Sequence, residues 1–323
     1  MRTTTWKARP RRCGRLLATV VALALGVLAA TPAHADTATT TAAADHPVGG
    51  LATAVVNFTV SPDRVAGAND WDCEPSAAHP EPVVLVHATF ANLGMNWTAL
   101  SPTLANEGYC VYAFNYGQTL LSLNRIGGLD DIGDSAQTLQ RFVELVRWRT
   151  GSAKVDLVGH SQGGMLTNYY IKRLGGADKV RRSVALAPSN HGTTLSGLTS
   201  LAESFRLLGL IDTLYSVAGT PALSQQVQGS DFQKALWADG DTVPGPRYTV
   251  IATNRDWVVT PYTNAFLNGP NVNNITLQDQ CPGNPVSHIG MFVDGPTLQN
   301  VLNALGPDDP NFRPACRNYG PAI

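Results

Sequence analysis

No two cysteines of this 323-residue chain stand at Cys-x-x-Cys spacing, so the usual mark of a zinc ribbon or a dithiol redox pair is missing. Beyond the first 35 residues, no apolar run is long enough to read as a membrane-spanning helix. Those 35 residues hold six of the 23 basic side chains and none of the 24 acidic ones. Residues 36–323 therefore carry 17 basic against 24 acidic groups. That balance argues against nucleic acid or an anionic membrane as the main partner, and basic pairs such as Arg181-Arg182 are isolated.

The opening stretch does have the parts of an export signal. Arg2, Lys7, Arg9, Arg11, Arg12 and Arg15 form a positive region, and Leu16 to Ala30 is an apolar core short for a bilayer. Ala33-His34-Ala35 fits a small-x-small cleavage site. The expectation is a secreted protein cleaved after Ala35, by a route that Arg11-Arg12 leaves open between general and twin-arginine export. Cys13 leaves with the signal, and Cys73, Cys110, Cys281 and Cys316 remain. An even number in an exported chain reads as two disulfides. Of three possible pairings, Cys73–Cys110 and Cys281–Cys316 are favoured, because each closes a loop within one end of the domain.

Residues 36–70 read as a lead-in, rich in Thr and Ala up to Gly50, and residues 71–323 as one domain. Leu51 to Pro82 holds short segments with turn residues, expected to wrap the domain edge. Strand and helix signals then alternate. Strands are expected at Val83–Val86, Tyr109–Phe114, Val155–Val158, Val180–Leu186, Tyr248–Ala252 and Asn274–Leu277. Helices are expected at Trp97–Glu107, Ile132–Arg149 and Met165–Leu174. Continuous apolar strands between helices predict an α/β fold with a mostly parallel sheet covered on both faces. Residues 189–244 interrupt the alternation without a strand signal. There Leu198, Leu201, Phe205, Leu208, Ile211, Tyr215 and Ala218 recur at three- and four-residue intervals, as on one apolar helix face. Such a face either packs as a cap or lines an acyl pocket, and Phe205, Leu208 and Ile211 are its candidate substrate contacts.

Gly159-His160-Ser161-Gln162-Gly163 lies between an expected strand and an expected helix. A serine on such a turn is the nucleophile elbow of α/β-hydrolases, with the helix N-terminus aimed at a developing oxyanion. A serine hydroxyl needs a base, and the base needs a carboxylate, in chain order Ser, acid, His on this fold. Only His191 and His288 follow Ser161, and His191 comes too early to leave an acid before it. His288 is therefore the expected base, while His87 and His160 are expected to shape loops. Asp256 ends the strand before the histidine loop and is the expected acid, with Asp279 second. Asp239 and Asp241 precede that strand and read as a solvated turn. Gln162 follows the nucleophile and supplies one oxyanion N–H; Thr89, after the first core strand, supplies the other.

These residues resemble the secreted actinomycete-type lipases of the α/β-hydrolase fold, lipase class 2. The likeness rests on His87-Ala88-Thr89-Phe90-Ala91-Asn92 with Trp97, on the elbow, and on Asn190-His191-Gly192-Thr193. It continues through Asp256 with Val258-Val259-Thr260-Pro261-Tyr262, and Gln278-Asp279-Gln280-Cys281 with His288. The family usually has His-Gly where this chain has His87-Ala88. The resemblance implies a triacylglycerol lipase acting on lipid or ester substrates without an organic cofactor or metal. A phospholipase A1, a polyester esterase or an acyltransferase would use the same residues. A non-catalytic lipid-binding protein is the alternative from another class.

Overall fold

The computed structural model describes residues 45–119, 122, 125–210 and 220–323. The expected signal, the lead-in up to residue 44, and Ile211, Tyr215 and Ala218 lie outside the described residues. Six parallel strands form the sheet: β1 (Val83–Val86), β2 (Val111–Phe114), β3 (Val155–His160), β4 (Val180–Leu186), β5 (Arg247–Ala252) and β6 (Val272–Thr276). Their order across the sheet is β2-β1-β3-β4-β5-β6. The expected strands all occur, with ends shifted by up to two residues.

Helices cover both faces because neighbouring residues of one strand point to opposite sides. Val84 and Val86 pack with α4 (Ile132–Thr150) and α5 (Gln162–Arg173), through Leu139, Val143, Met165 and Leu166. Val83 and Leu85 pack on the other side, against α3 (Leu100–Asn106) and α10 (Gly295–Leu305), through Leu100, Leu104, Val301 and Leu305. The ends of α4 are set locally. Asp131 accepts hydrogen bonds from the N–H groups of Gly133 (2.7 Å) and Asp134 (3.1 Å), and Gly151 ends the helix at φ 68°. Truncating Leu139, which is wholly buried, should cost about 2–5 kcal/mol.

Two helical segments differ from expectation. Residues 93–106 form α2 (Leu93–Asn96) and α3 rather than one helix from Trp97, because Asn92 accepts from Met95 N–H and starts a turn earlier. Within the expected lead-in, Leu51–Val60 is helix α1. Its N-cap, Gly50, offers no side chain, and only Ala54 and Phe58 are buried along it, so the local signal is weak. The helix is held by tertiary contact: Asn57 Nδ2 donates to Gly94 O (3.2 Å), and Phe58 packs against Phe205.

Asn69 covers the outer edge of β2. It bonds Ala113 through both side-chain groups at 2.9 Å and Val111 O through its N–H. Disulfides join Cys73 to Cys110 and Cys281 to Cys316. The 189–244 insertion holds α6 (Leu195–Leu207), α7 (Pro221–Gln225) and α8 (Asp231–Trp237). The short helix α9 (Leu277–Gln280) follows β6. No described helix is long and apolar enough to cross a membrane.

Candidate active site

Ser161 sits between β3 and α5 with φ 54° and ψ −121°, a left-handed region that a side chain rarely adopts. The glycines around it answer to space. A Cβ on Gly163 would come within 2.1 Å of Val86 O, and one on Gly159 within 2.5 Å of Gly163 backbone. Both positions admit only glycine because strand and helix approach that closely.

His288 lies 127 residues further on, yet its Nε2 is 2.9 Å from Ser161 Oγ. Its Nδ1 is 2.8 Å from Asp256 Oδ2. The other carboxylate oxygen of Asp256 accepts from the N–H groups of Val258 and Val259, both at 2.8 Å. The carboxylate is thus fixed in direction, and it orients the imidazole with Nε2 towards the serine. The side chains of His288 and Asp256 are each 1% exposed, which keeps water from competing for these bonds. The second-choice acid, Asp279, is exposed on α9 and makes no bond to His288. Asp239 pairs with Lys172 and Arg173, and His191 stands against Asp241 and Trp237.

Thr89 and Gln162, the two residues expected to donate to an oxyanion, bond each other through their side chains. Gln162 Nε2 donates to Thr89 Oγ1 (3.1 Å) and Gly128 O (3.0 Å). The main-chain N–H groups of Thr89 and Gln162 bond no acceptor among the described residues. Where the family has glycine, Ala88 donates its N–H to Asn96 Oδ1 (3.0 Å). The positive φ of this loop falls on Phe90 (63°) instead.

Two supports had no sequence signal of their own. Gln226, at the end of α7 in the insertion, donates to Thr89 Oγ1 and to Ala222 O, each at 3.1 Å, and accepts from Ser189 Oγ. The carbonyl of Ile323 accepts from Ile289 N–H (3.0 Å), Gly290 N–H (3.3 Å) and Ser287 Oγ, and so clamps the loop around His288. Neither follows from a motif, since both depend on distant segments meeting.

His87 and His160 do shape loops. Nδ1 of His87 donates to Ala88 O (2.9 Å), and its Nε2 accepts from Tyr116 N–H (3.3 Å). Burial pushes its pKa down to about 4. His160 is pushed down to about 3, by burial first and then by the charge of His288.

Leu201 and Phe205 of α6 line a small, mostly apolar cavity of about 10 Å³ beside His288, with Ala88, Ile289 and Phe292. Leu208 is half-buried against the same cluster but does not reach the cavity. Ile211 lies outside the described residues. Among the described residues no group of three His, Cys, Asp or Glu side chains could hold a metal.

The family described as Lipase (class 2) matches residues 80–279. The chain belongs to the class 2 lipase family. Over 98 residues it is 34% identical to a triacylglycerol lipase of Pseudarthrobacter phenanthrenivorans and to one of Burkholderia plantarii. The match takes in 29% of this chain, 28% of the first relative and 25% of the second. The chain thus spans about a quarter of the length of the curated relatives it matches. The crystal structure of Aspergillus fumigatus lipase B superimposes with a TM-score of 0.60 at 20% identity, over 82% of this chain and 67% of that one. This is a likeness of fold, the α/β-hydrolase fold.

Proposed function

We propose that this chain is a secreted carboxylic ester hydrolase, a triacylglycerol lipase, with Ser161 as nucleophile, His288 as base and Asp256 as acid. One observation carries the reading: His288 bridges Ser161 Oγ (2.9 Å) and an Asp256 carboxylate fixed by two N–H groups. In this reading His288 takes the proton of Ser161 as Oγ attacks the ester carbonyl. The oxyanion rests on the N–H groups of Thr89 and Gln162, at the start of α5 where the helix dipole favours negative charge. His288 then protonates the leaving alcohol, and water repeats the cycle on the acyl-enzyme. No step calls for a cofactor.

A glyceride substrate is supported by the apolar surroundings. The cavity beside His288 has room for little more than a water molecule, so a fatty chain enters it only if one of its walls moves, and in this reading that wall is α6. Val56 and Val60 of α1, and Leu195 and Leu207 of α6, are all more than half exposed on neighbouring helices. In this reading these single exposed apolar side chains are what meets a lipid–water interface. The two disulfides suit an extracellular setting.

The test is fluorophosphonate labelling combined with a panel of triacylglycerols, phospholipids and short esters. Labelling that maps to Ser161, with triacylglycerols cleaved fastest, is the expected result. Faster cleavage of phospholipids would make it a phospholipase on the same residues. No labelling and no cleavage would leave a non-catalytic lipid-binding protein.

A further inference from the structure

A second cleft lies away from the ester-cleaving centre, where α10 meets the 307–313 segment. Two pockets adjoin there, sharing Asn303 and Phe312. One, about 200 Å³, is polar, with Asn273, Asp279, Asn300 and Arg313 among its walls. The other, about 350 Å³, is more apolar and is lined by His79, Tyr109, Gln299 and Leu302. Tyr109 stands just before β2, at the N-terminal ends of the parallel strands, whereas Ser161 follows the C-terminal end of β3. The apolar pocket and the serine are therefore at opposite ends of the sheet.

The chemistry of the walls is specific. His79 lies against buried Tyr109 with ring centroids 3.7 Å apart and the rings tilted by 34°, and Phe312 is half-buried at the boundary of the two pockets. Flat apolar faces thus flank a wall rich in amides. Asn300 is 1% exposed, its Nδ2 donates to Gln280 Oε1 (2.7 Å) and Pro296 O (2.9 Å), and its Oδ1 has no partner among the described residues. The side chains of Asn273 and Asp279 are exposed and bond nothing among the described residues. Carboxylates outnumber cations around the cleft, with Asp279, Asp309 and Glu107 against Arg313, which disfavours an anionic ligand. The amides of Asn274, Gln299 and Asn303 are spent on Leu267, Ala315 and Asp309, so the groups left for a ligand include the Asn273 amide, the Asp279 carboxylate and Asn300 Oδ1. A mixed set of donors and acceptors suits hydroxyl groups, which do both. Aromatic faces suit the C–H face of a ring that carries those hydroxyls.

Both walls are braced. Cys73–Cys110 ties the loop that carries His79 to the chain beside Tyr109. Cys281–Cys316 ties the segment after Arg313 to the chain beside Asp279 and Gln280. A cleft held open in this way loses little entropy when it is filled.

We propose that this cleft binds a neutral oligosaccharide and holds the enzyme on a glycan-bearing surface while Ser161 stays free. The test is titration calorimetry of the full secreted chain with cellohexaose, maltohexaose, xylohexaose and chitohexaose. At least one should bind, and Phe312→Ala should weaken it about ten-fold, as loss of an aromatic anchor does. Arg313→Ala, on an exposed side chain, should weaken it too, and keeps the test independent of any loosening around Phe312. In both variants hydrolysis of p-nitrophenyl butyrate and the Cys281–Cys316 bond should be unchanged. No binding by any of the four sugars at millimolar concentration, or undiminished binding in both variants, overturns the proposal. Tighter binding of oligogalacturonate than of any neutral sugar also overturns it.

Discussion

His160 Nε2 donates to the main-chain carbonyl of His288 across 3.1 Å, so the residue before the proposed nucleophile holds the loop of the proposed base. Its Nδ1 lies 3.1 Å from Asn96 Oδ1, the oxygen that accepts the N–H of Ala88. One buried imidazole thus bonds the elbow to the His288 loop and packs against the side chain that holds Ala88, next to Thr89.

Acid should weaken the fold through this histidine and His87. Both protonate near 6.5 when unfolded but only near 3 and 4 in the fold. Below pH 6.5 the unfolded chain binds more protons, so stability falls as pH drops through that window towards the folded values. Each group costs about 1.4 kcal/mol per pH unit there. Scanning calorimetry should show Tm falling between pH 7 and pH 5, with a shallower fall in His87→Gln. A Tm unchanged over that range would refute the assignment of these two as buried neutral groups.

Ser161→Ala should lower turnover by about six orders of magnitude with the fold intact, as loss of the nucleophile does in such triads. Asp256→Ala should cost less, because the carboxylate orients His288 rather than reacting. Asp279→Ala should have little effect, since that side chain is exposed and does not bond His288. Initial-rate kinetics on one short ester compare all three. A larger loss in Asp279→Ala than in Asp256→Ala would overturn the choice of acid.

The sheet was legible in the sequence, and so was the meeting of the side chains of Ser161, Asp256 and His288, because each depends on local pattern or chain order. Val83–Val86 needs only its apolar run, and Ser161 only its glycines and flanking elements. Helix α1 was not legible: its two buried residues, Ala54 and Phe58, gain their partners only after folding. The roles of Gln226 and Ile323 were hidden for the same reason. Leu208 shares the spacing of Phe205 but not its place at the cavity, because a helical stripe shows which face is covered and not by what.

Gln226→Leu should reduce kcat by about ten-fold while KM changes little. The side chain donates to Thr89 Oγ1 and fills a buried network with Ser189 and Ala222. Its loss would let the Thr89 N–H drift from the place proposed for the oxyanion, where removal of a donor outright costs about 100- to 1,000-fold. An unchanged kcat, or a loss entirely in KM, would show that Gln226 only packs.

Cys316→Ser should lower stability by about 3–4 kcal/mol, from the loop that its bond to Cys281 closes over 35 positions. Activity should fall as well, because the chain after Cys316 leads to the Ile323 carbonyl that clamps Ser287, Ile289 and Gly290 around His288. Removing residues 321–323 alone should reproduce the loss of kcat with a smaller loss of stability. Full activity in that truncated chain would separate the base from this clamp.

Acyl selectivity should answer to Phe205 and not to Leu208. Phe205 lines the cavity beside His288, while Leu208 stands off it. Each methylene taken from water there is worth about 0.8 kcal/mol. In the unmodified enzyme kcat/KM should therefore rise from acetate to laurate esters once α6 has moved. Phe205→Ala opens space at the cavity, so the ratio of laurate to acetate should rise further, at a stability cost of about 3–5 kcal/mol. Leu208→Ser should leave that ratio unchanged. A flat series in the unmodified enzyme would mean that α6 only covers the core, and would favour a short-chain esterase over a lipase. A shift in Leu208→Ser as large as in Phe205→Ala would place the acyl chain along α6 instead of in the cavity.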